Sequence, residues 1–185
     1  MTHAHAFVAL CIVWAVSQLW IGRRRSGDRS KDHGTLDVLI LVIFASLALS
    51  AWLALRDDGQ LAARDPAIAW TGMAVMLAGL ALRWWSVHTL ARFFTVDVAI
   101  QPGQTLVRRG PYRVLRHPSY TGALTTVLGY GIGTGAWRPA LVAFVPIFLA
   151  FLHRIRIEER VLADAFPDAW PCYARETRRL VPYLW

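Results

Sequence analysis

The segment Gly110-Pro111-Tyr112-Arg113-Val114-Leu115-Arg116-His117-Pro118-Ser119-Tyr120-Thr121-Gly122 concentrates groups that can do chemistry. Arg113 and Arg116 carry fixed positive charge, His117 changes protonation near neutral pH, and Tyr112 and Tyr120 offer flat faces with hydroxyl tips. Pro111 and Pro118 each remove an amide donor and restrict the residue before them, so the backbone is expected to bend between short helical pieces. Further along, Glu158, Glu159, Tyr173, Arg178 and Arg179 add two carboxylates, a phenol and two guanidiniums. Gathered on one face, these groups suit a small molecule carrying both signs of charge. Its carboxylate would meet the arginines, and its ammonium, sulfonium or ribose hydroxyls the glutamates. The plainer outcome for the same residues is a set of ion pairs between a loop and a tail. The histidines are scattered without metal-ligand spacing, and no serine-nucleophile elbow is present.

The elements that must position these residues are apolar. Of 185 residues 56% are hydrophobic and nine are Trp, which places the chain in the membrane class ahead of the soluble one. The net charge of +8 comes almost wholly from arginine, Lys31 being the only lysine. Nucleic-acid binding is the rival explanation for that excess, but the arginines lie between apolar runs and form no single solvated stripe. Cys11 and Cys172 suggest no disulfide framework.

Five apolar runs predict five spanning helices. The first covers about residues 5–21, with no basic region before it and Arg23, Arg24 and Arg25 after it, so it reads as a retained helix and not a signal peptide. The second covers about 36–55, with Asp37 where a carboxylate suits the helix dipole. The third covers about 66–90, with Pro66 at a tolerated first-turn position. Two more, about 119–135 and 137–153, read as a helical hairpin. The expected organisation is a single membrane-embedded domain: three spans over 1–90, a connector over 91–118, the hairpin over 119–153 and a tail over 154–185. The Arg-rich segments 23–31, 92–116 and 154–179 then share one face, and the positive-inside bias makes it cytoplasmic.

Two features inside the runs stand out. Arg83 lies within the third, where an arginine either serves a function or snorkels to the headgroups beside Trp84 and Trp85. Gly72 and Gly79 in that run, and Gly129, Gly131, Gly133 and Gly135 in the fourth, permit close helix approach. A phosphate-loop reading of the glycine series fails because no strand precedes it.

The pattern Gly-Pro-Tyr-Arg-x-x-Arg-His-Pro-x-Tyr-x-Gly at 110–122, then Glu158-Glu159, then Phe166, Tyr173 and Arg179-Leu180-Val181-Pro182, resembles the isoprenylcysteine carboxyl methyltransferase family, which belongs with the membrane phospholipid methyltransferases. The resemblance covers about residues 106–182. Arg83 and Phe93-Phe94-Thr95 are also similar to bacterial members, whereas Pro167 and Trp170 replace the usual glycine and tyrosine. It implies an all-α integral membrane methyltransferase with a cytoplasmic C-terminal cofactor-binding segment and S-adenosylmethionine as cofactor. By motif position, Arg116, His117, Pro118, Tyr120 and Gly122 contribute to the cofactor pocket, Tyr112 and Arg113 frame it, and Glu158 and Tyr173 join them. Glu159 and Arg179 orient cofactor and substrate, with Arg178 as alternate. The implied acceptor is lipophilic, an isoprenoid-type or prenylated carboxylate, in a bacterial inner membrane. Phospholipid amine N-methylation, a related reductase and a non-catalytic scaffold for anionic lipid are the alternatives.

Overall fold

The computed structural model describes residues 2–24, 32, 34–58 and 61–182. Residues 25–31, most of the basic loop after the first apolar run, therefore lie outside the described residues. The chain forms α1 (Thr2–Gly22), α2 (Thr35–Asp58), α3 (Pro66–Leu90), α4 (Pro118–Thr134), α5 (Trp137–Ala165) and α6 (Trp170–Glu176), with 3-10 turns at Ala91–Phe93 and Gly110–Arg113. No strand occurs among the described residues, and a single isolated bridge joins Leu115 to Arg178. The protein is an all-α integral membrane protein.

Four helices, α1, α2, α3 and α5, are long and apolar enough to cross a bilayer. The fifth, α4, has 17 residues and a rise of about 26 Å. Its Ser, Thr, Tyr and Gly content lowers its hydropathy for a physical reason: most of its residues are buried between α3 and α5 and do not face lipid. The outward faces of the others are apolar, with Val13, Leu19, Leu41, Phe44, Leu77 and Leu149 exposed as lipid-facing side chains should be.

The α3–α4 contact is backbone on backbone. Gly72 and Gly79 lie two turns apart on α3, and Gly122 and Gly129 two turns apart on α4. A Cβ on Gly79 would fall 2.5 Å from the Thr126 amide nitrogen, and one on Gly122 would fall 2.6 Å from that of Arg83. This seam confirms the packing role expected of the glycines, and helical geometry sorts them by face. Gly129 and Gly133 turn to α3 and to Phe7 of α1, while Gly131 turns to Ala140 of α5. Tyr130 seats α1, with ring centroids 5.9 Å from Phe7 and 6.2 Å from Trp14. On the far side α2 packs along α5, where the Ser50 hydroxyl donates to the Pro139 carbonyl at 2.8 Å.

Helix starts are capped from nearby. Asp65 accepts from the Ala67 amide at 2.8 Å with Pro66 as the first helical residue of α3. For α2 the capping carboxylate is Asp32, which accepts from the Leu36 amide at 2.9 Å. Helix α5 does not stop where the apolar run does. It continues past His153 to Ala165, so Arg154, Glu158 and Glu159 sit on the same rigid rod as the membrane span. Arg, Ile, Glu, Val, Leu and Ala sustain it, and Phe166 ends it because a residue before proline is driven out of helical geometry.

The Arg-rich segments do gather at one end. Arg24 donates to the Ala91 carbonyl, the Val96 amide donates to the Arg24 carbonyl, and Arg154 pairs with Asp32. At the opposite end Arg138 pairs with Asp57.

Candidate active site

The site is built where a short loop, a helix end and a tail are laced together. Pro111 is the second residue of the 3-10 turn, the chain extends through His117, and Pro118 starts α4 as its first residue. The bends expected at the two prolines are present. Residues 177–180 then run alongside 114–117. The Arg178 amide donates to the Val114 carbonyl at 2.9 Å, the Arg116 amide to the Arg178 carbonyl at 2.7 Å, and the His117 amide to the Arg179 carbonyl at 3.2 Å. The Thr121 hydroxyl donates to the Leu180 carbonyl at 2.8 Å.

Glu159 is the electrostatic knot. Arg116 Nε donates to its Oε1 at 2.8 Å, while Arg179 Nε and Nη2 approach its Oε2 at 2.9 and 2.8 Å. The remaining reach of Arg116 goes to the carbonyls of Ala174 and Thr177, at 2.7 and 2.6 Å. Arg116 is thus spent on tying α5 to the tail. His117, only 4% exposed, brings Nε2 to 3.4 Å from Glu159 Oε1 and Nδ1 to 3.7 Å from Glu158 Oε2. The first approach lacks hydrogen-bond alignment, so Nε2 stays buried without a partner.

Glu158 is the more open carboxylate, with 30% of its side chain exposed. It accepts from the Tyr120 hydroxyl at 2.7 Å, and that hydroxyl accepts from Arg154 Nε at 3.1 Å. The Tyr120 ring lies parallel to the His117 imidazole at a centroid distance of 5.5 Å and also touches Phe151. Tyr173 is buried and donates to the Tyr112 carbonyl at 3.1 Å. Burial pushes the Tyr112 and Tyr173 phenols up from their ordinary range, so both remain neutral near pH 7.

Of the residues the motifs single out, Tyr112, Arg116, His117, Tyr120, Glu158, Glu159, Tyr173 and Arg179 come together here. Arg113 is exposed. Pro118 is buried as the start of α4, and Gly122 sits in the α3–α4 seam against Arg83. Arg178 turns back onto the Arg175 carbonyl.

Arg154 is a site residue that motif reasoning passed over. It is 1% exposed and pairs with Asp32 at 2.9 Å while donating to Thr35, to the Val96 carbonyl and to Tyr120. The signal was there, since Arg154 continues the inward face of Ile147, Phe151 and Ile155. Arg83 does not snorkel away: Nη1 lies 3.2 and 3.4 Å from the Ser119 carbonyl and hydroxyl oxygens, and its Nε is buried without a partner.

Comparison with known proteins sets this geometry in context. The family model described as "Isoprenylcysteine carboxyl methyltransferase (ICMT) family" matches residues 70–164. Uncharacterized protein YpbQ of Bacillus subtilis is 24% identical over 168 residues, 85% of this chain and 95% of that protein. The cobalt-zinc-cadmium resistance protein CzcN of Cupriavidus metallidurans is 33% identical over 115 residues, 62% of this chain and 53% of that protein. Protein-S-isoprenylcysteine O-methyltransferase B of Arabidopsis thaliana is 29% identical over 115 residues, 61% of this chain and 58% of that protein. The matches to the last two thus span little more than half of their lengths.

Proposed function

This chain belongs to the isoprenylcysteine carboxyl methyltransferase family and is a membrane methyltransferase, and from that premise we propose that it transfers the methyl group of S-adenosylmethionine to a lipophilic carboxylate of the isoprenoid or prenylated class. The observation that carries the reading is the meeting of His117, Glu158, Glu159 and Arg179, drawn from three separated segments, at the Arg-rich end of the bundle. The positive-inside bias supports a cytoplasmic site.

The residues present fit such a cofactor. Two buried nitrogens, Arg83 Nε and His117 Nε2, lack partners, and Glu158 keeps a partly open carboxylate. Glu158 and Tyr120 would hold the cationic and hydroxyl-bearing parts, and His117 with Tyr112 the polar edges. When bound, the cofactor supplies a methyl group already made electrophilic by its sulfonium.

The protein then has to orient a nucleophile and keep water away. A carboxylate acceptor needs no general base. Arg179, partly exposed and moderated by Glu159, would hold it without neutralising it fully. Near-attack geometry at roughly 3–3.5 Å supplies several kcal/mol of rate acceleration. An amine acceptor would have to lose a proton to His117 or Glu159, and Glu159 between two guanidiniums is a weak base for that task. The scaffold alternative is disfavoured because Arg116, Arg154 and Arg179 engage carboxylates of the protein itself.

Calorimetry of the detergent-purified chain with S-adenosylhomocysteine tests the cofactor: saturable binding is expected, and its absence removes the reading. Transfer of a radiolabelled methyl group to a prenylated acceptor tests the chemistry. The label should be released by base as from an ester, and base-stable label would assign an amine instead.

A further inference from the structure

A second cavity opens at the Arg-rich end of the molecule, where α1 and α3 finish, and it shares no residue with the site described above. It holds about 520 Å³, and its lining includes Arg24, His88, Arg92, Phe94, Thr95 and Gln101. Every ionisable group in that lining is basic, and no carboxylate joins it. Arginines elsewhere are spent on the protein's own acids: Arg116 and Arg179 meet Glu159, and Arg154 meets Asp32. Among the described residues no carboxylate reaches Arg24 or Arg92. Arg24 is half-buried, held by the Ala91 carbonyl at 3.3 Å and by the Trp20 ring, whose centroid is 4.9 Å away. Arg92 lies 4.8 Å over Phe93 and makes no hydrogen bond among the described residues.

Both helices arrive here by their C-termini, whose last carbonyls repel an anion. Attraction must therefore come from side chains, and the two guanidiniums supply it, with donors suited to phosphate oxygens. The depth of the cavity says where such an oxygen would come from. The Trp20 and Trp84 rings lie 5.0 Å apart and Trp84 lies 5.8 Å from His88, so an aromatic step leads from the outer face of α1 into the lining. Trp20 and Trp85 stay 42% and 56% exposed, as tryptophans of an interfacial belt do. The basic lining thus stands level with the lipid headgroups, where phosphate is concentrated.

We propose that this cavity binds the phosphate of an anionic phospholipid, with Arg24 and Arg92 as its charged contacts. Basic pockets between spanning helices hold acidic headgroups in this way. The inference stands apart from the methyl-transfer reading and does not rest on it.

The test titrates the full chain in detergent with short-chain phosphatidylglycerol, with phosphatidylcholine of the same chain length and with inorganic phosphate, and follows melting. Phosphatidylglycerol should raise Tm saturably. Phosphatidylcholine, whose choline cancels the phosphate charge, should not. Arg92→Gln should melt as the parent does in phosphatidylcholine and should need about tenfold more phosphatidylglycerol to reach half-saturation, the worth of a charge-assisted pair. Arg23→Gln removes an equal, exposed charge just outside the lining and should leave the titration unchanged. If Arg92→Gln lowers Tm in phosphatidylcholine, Arg24→Gln is read in its place against the same control. The proposal is overturned if the two lipids act alike, or if neither cavity arginine alters the response. It is equally overturned if Arg23→Gln weakens the effect as much as they do, as diffuse surface charge would. Saturation by inorganic phosphate at concentrations as low as those of the lipid would make the occupant a soluble anion and overturn it too.

Discussion

Tyr120 decides how the hydrogen bonds of the site are directed. Arg154 can only donate, so the Tyr120 oxygen accepts from it and the single phenolic proton is left for Glu158. Replacing Tyr120 by Phe strands the Arg154 Nε and releases Glu158. Binding of S-adenosylhomocysteine should weaken by about tenfold, corresponding to a loss of ~1–2 kcal/mol, as calorimetry would show. Asp32 behaves differently because its partners are structural. Burial opposes its ionisation, but the Leu36 and Val98 amides and Arg154 outweigh burial and hold its carboxyl below the usual range. A depressed folded value means that the carboxylate stabilises the fold above about pH 4 and loses that contribution as the pH falls through the folded value. Asp32→Asn should therefore cost about 3–5 kcal/mol at pH 7, by stranding Arg154, and progressively less toward pH 3. Melting curves at the two pH values check this. The His117 and Glu158-Glu159 groups were legible because each is written within one short motif. Arg154 was legible only as a charge on an inward-facing stripe; its partners Asp32, Val96 and Tyr120 come from three other segments, so its role was not.

Among the elements, α3 and α4 behave as one piece. Their glycines leave no side chain between the backbones, so any added atom must push the helices apart. Gly79→Leu should lower stability by about 3 kcal/mol or more, since the clash is with backbone and not with a yielding side chain, and should weaken cofactor binding by moving Arg83 away from Ser119. Gly22→Ala, with nothing within 4 Å of the added methyl, is the matched control and should melt as the parent does. The spanning helices could be read from hydropathy because lipid-facing residues dominate them. Helix α4 is rich in Ser, Thr, Tyr and Gly, and its place at the centre explains why. The full length of α5 was not legible, because its last turns trade hydropathy for inward-facing Arg154 and Ile155 while remaining good helix formers.

For the whole molecule, sidedness is the property that charge foretold and that packing supports: described parts of the three Arg-rich segments meet at one end, Arg24 and Arg154 at Val96 and Arg116 at Glu159. The two cysteines report on it. Cys11 lies within α1, whereas Cys172 lies on α6 beside Glu176 at the Arg-rich end. A membrane-impermeant maleimide should label Cys172 in inverted vesicles and not in intact cells, and labelling from the outside would reverse the proposed orientation. The lacing of residues 177–180 to 114–117 also sets a timetable for biogenesis. Arg179 and the carbonyls that steady Arg116 and His117 are translated only after every long helix. The loop before α4 therefore takes up its final hydrogen bonds only after the helices that hold it have been made, and not until residue 180 has been delivered.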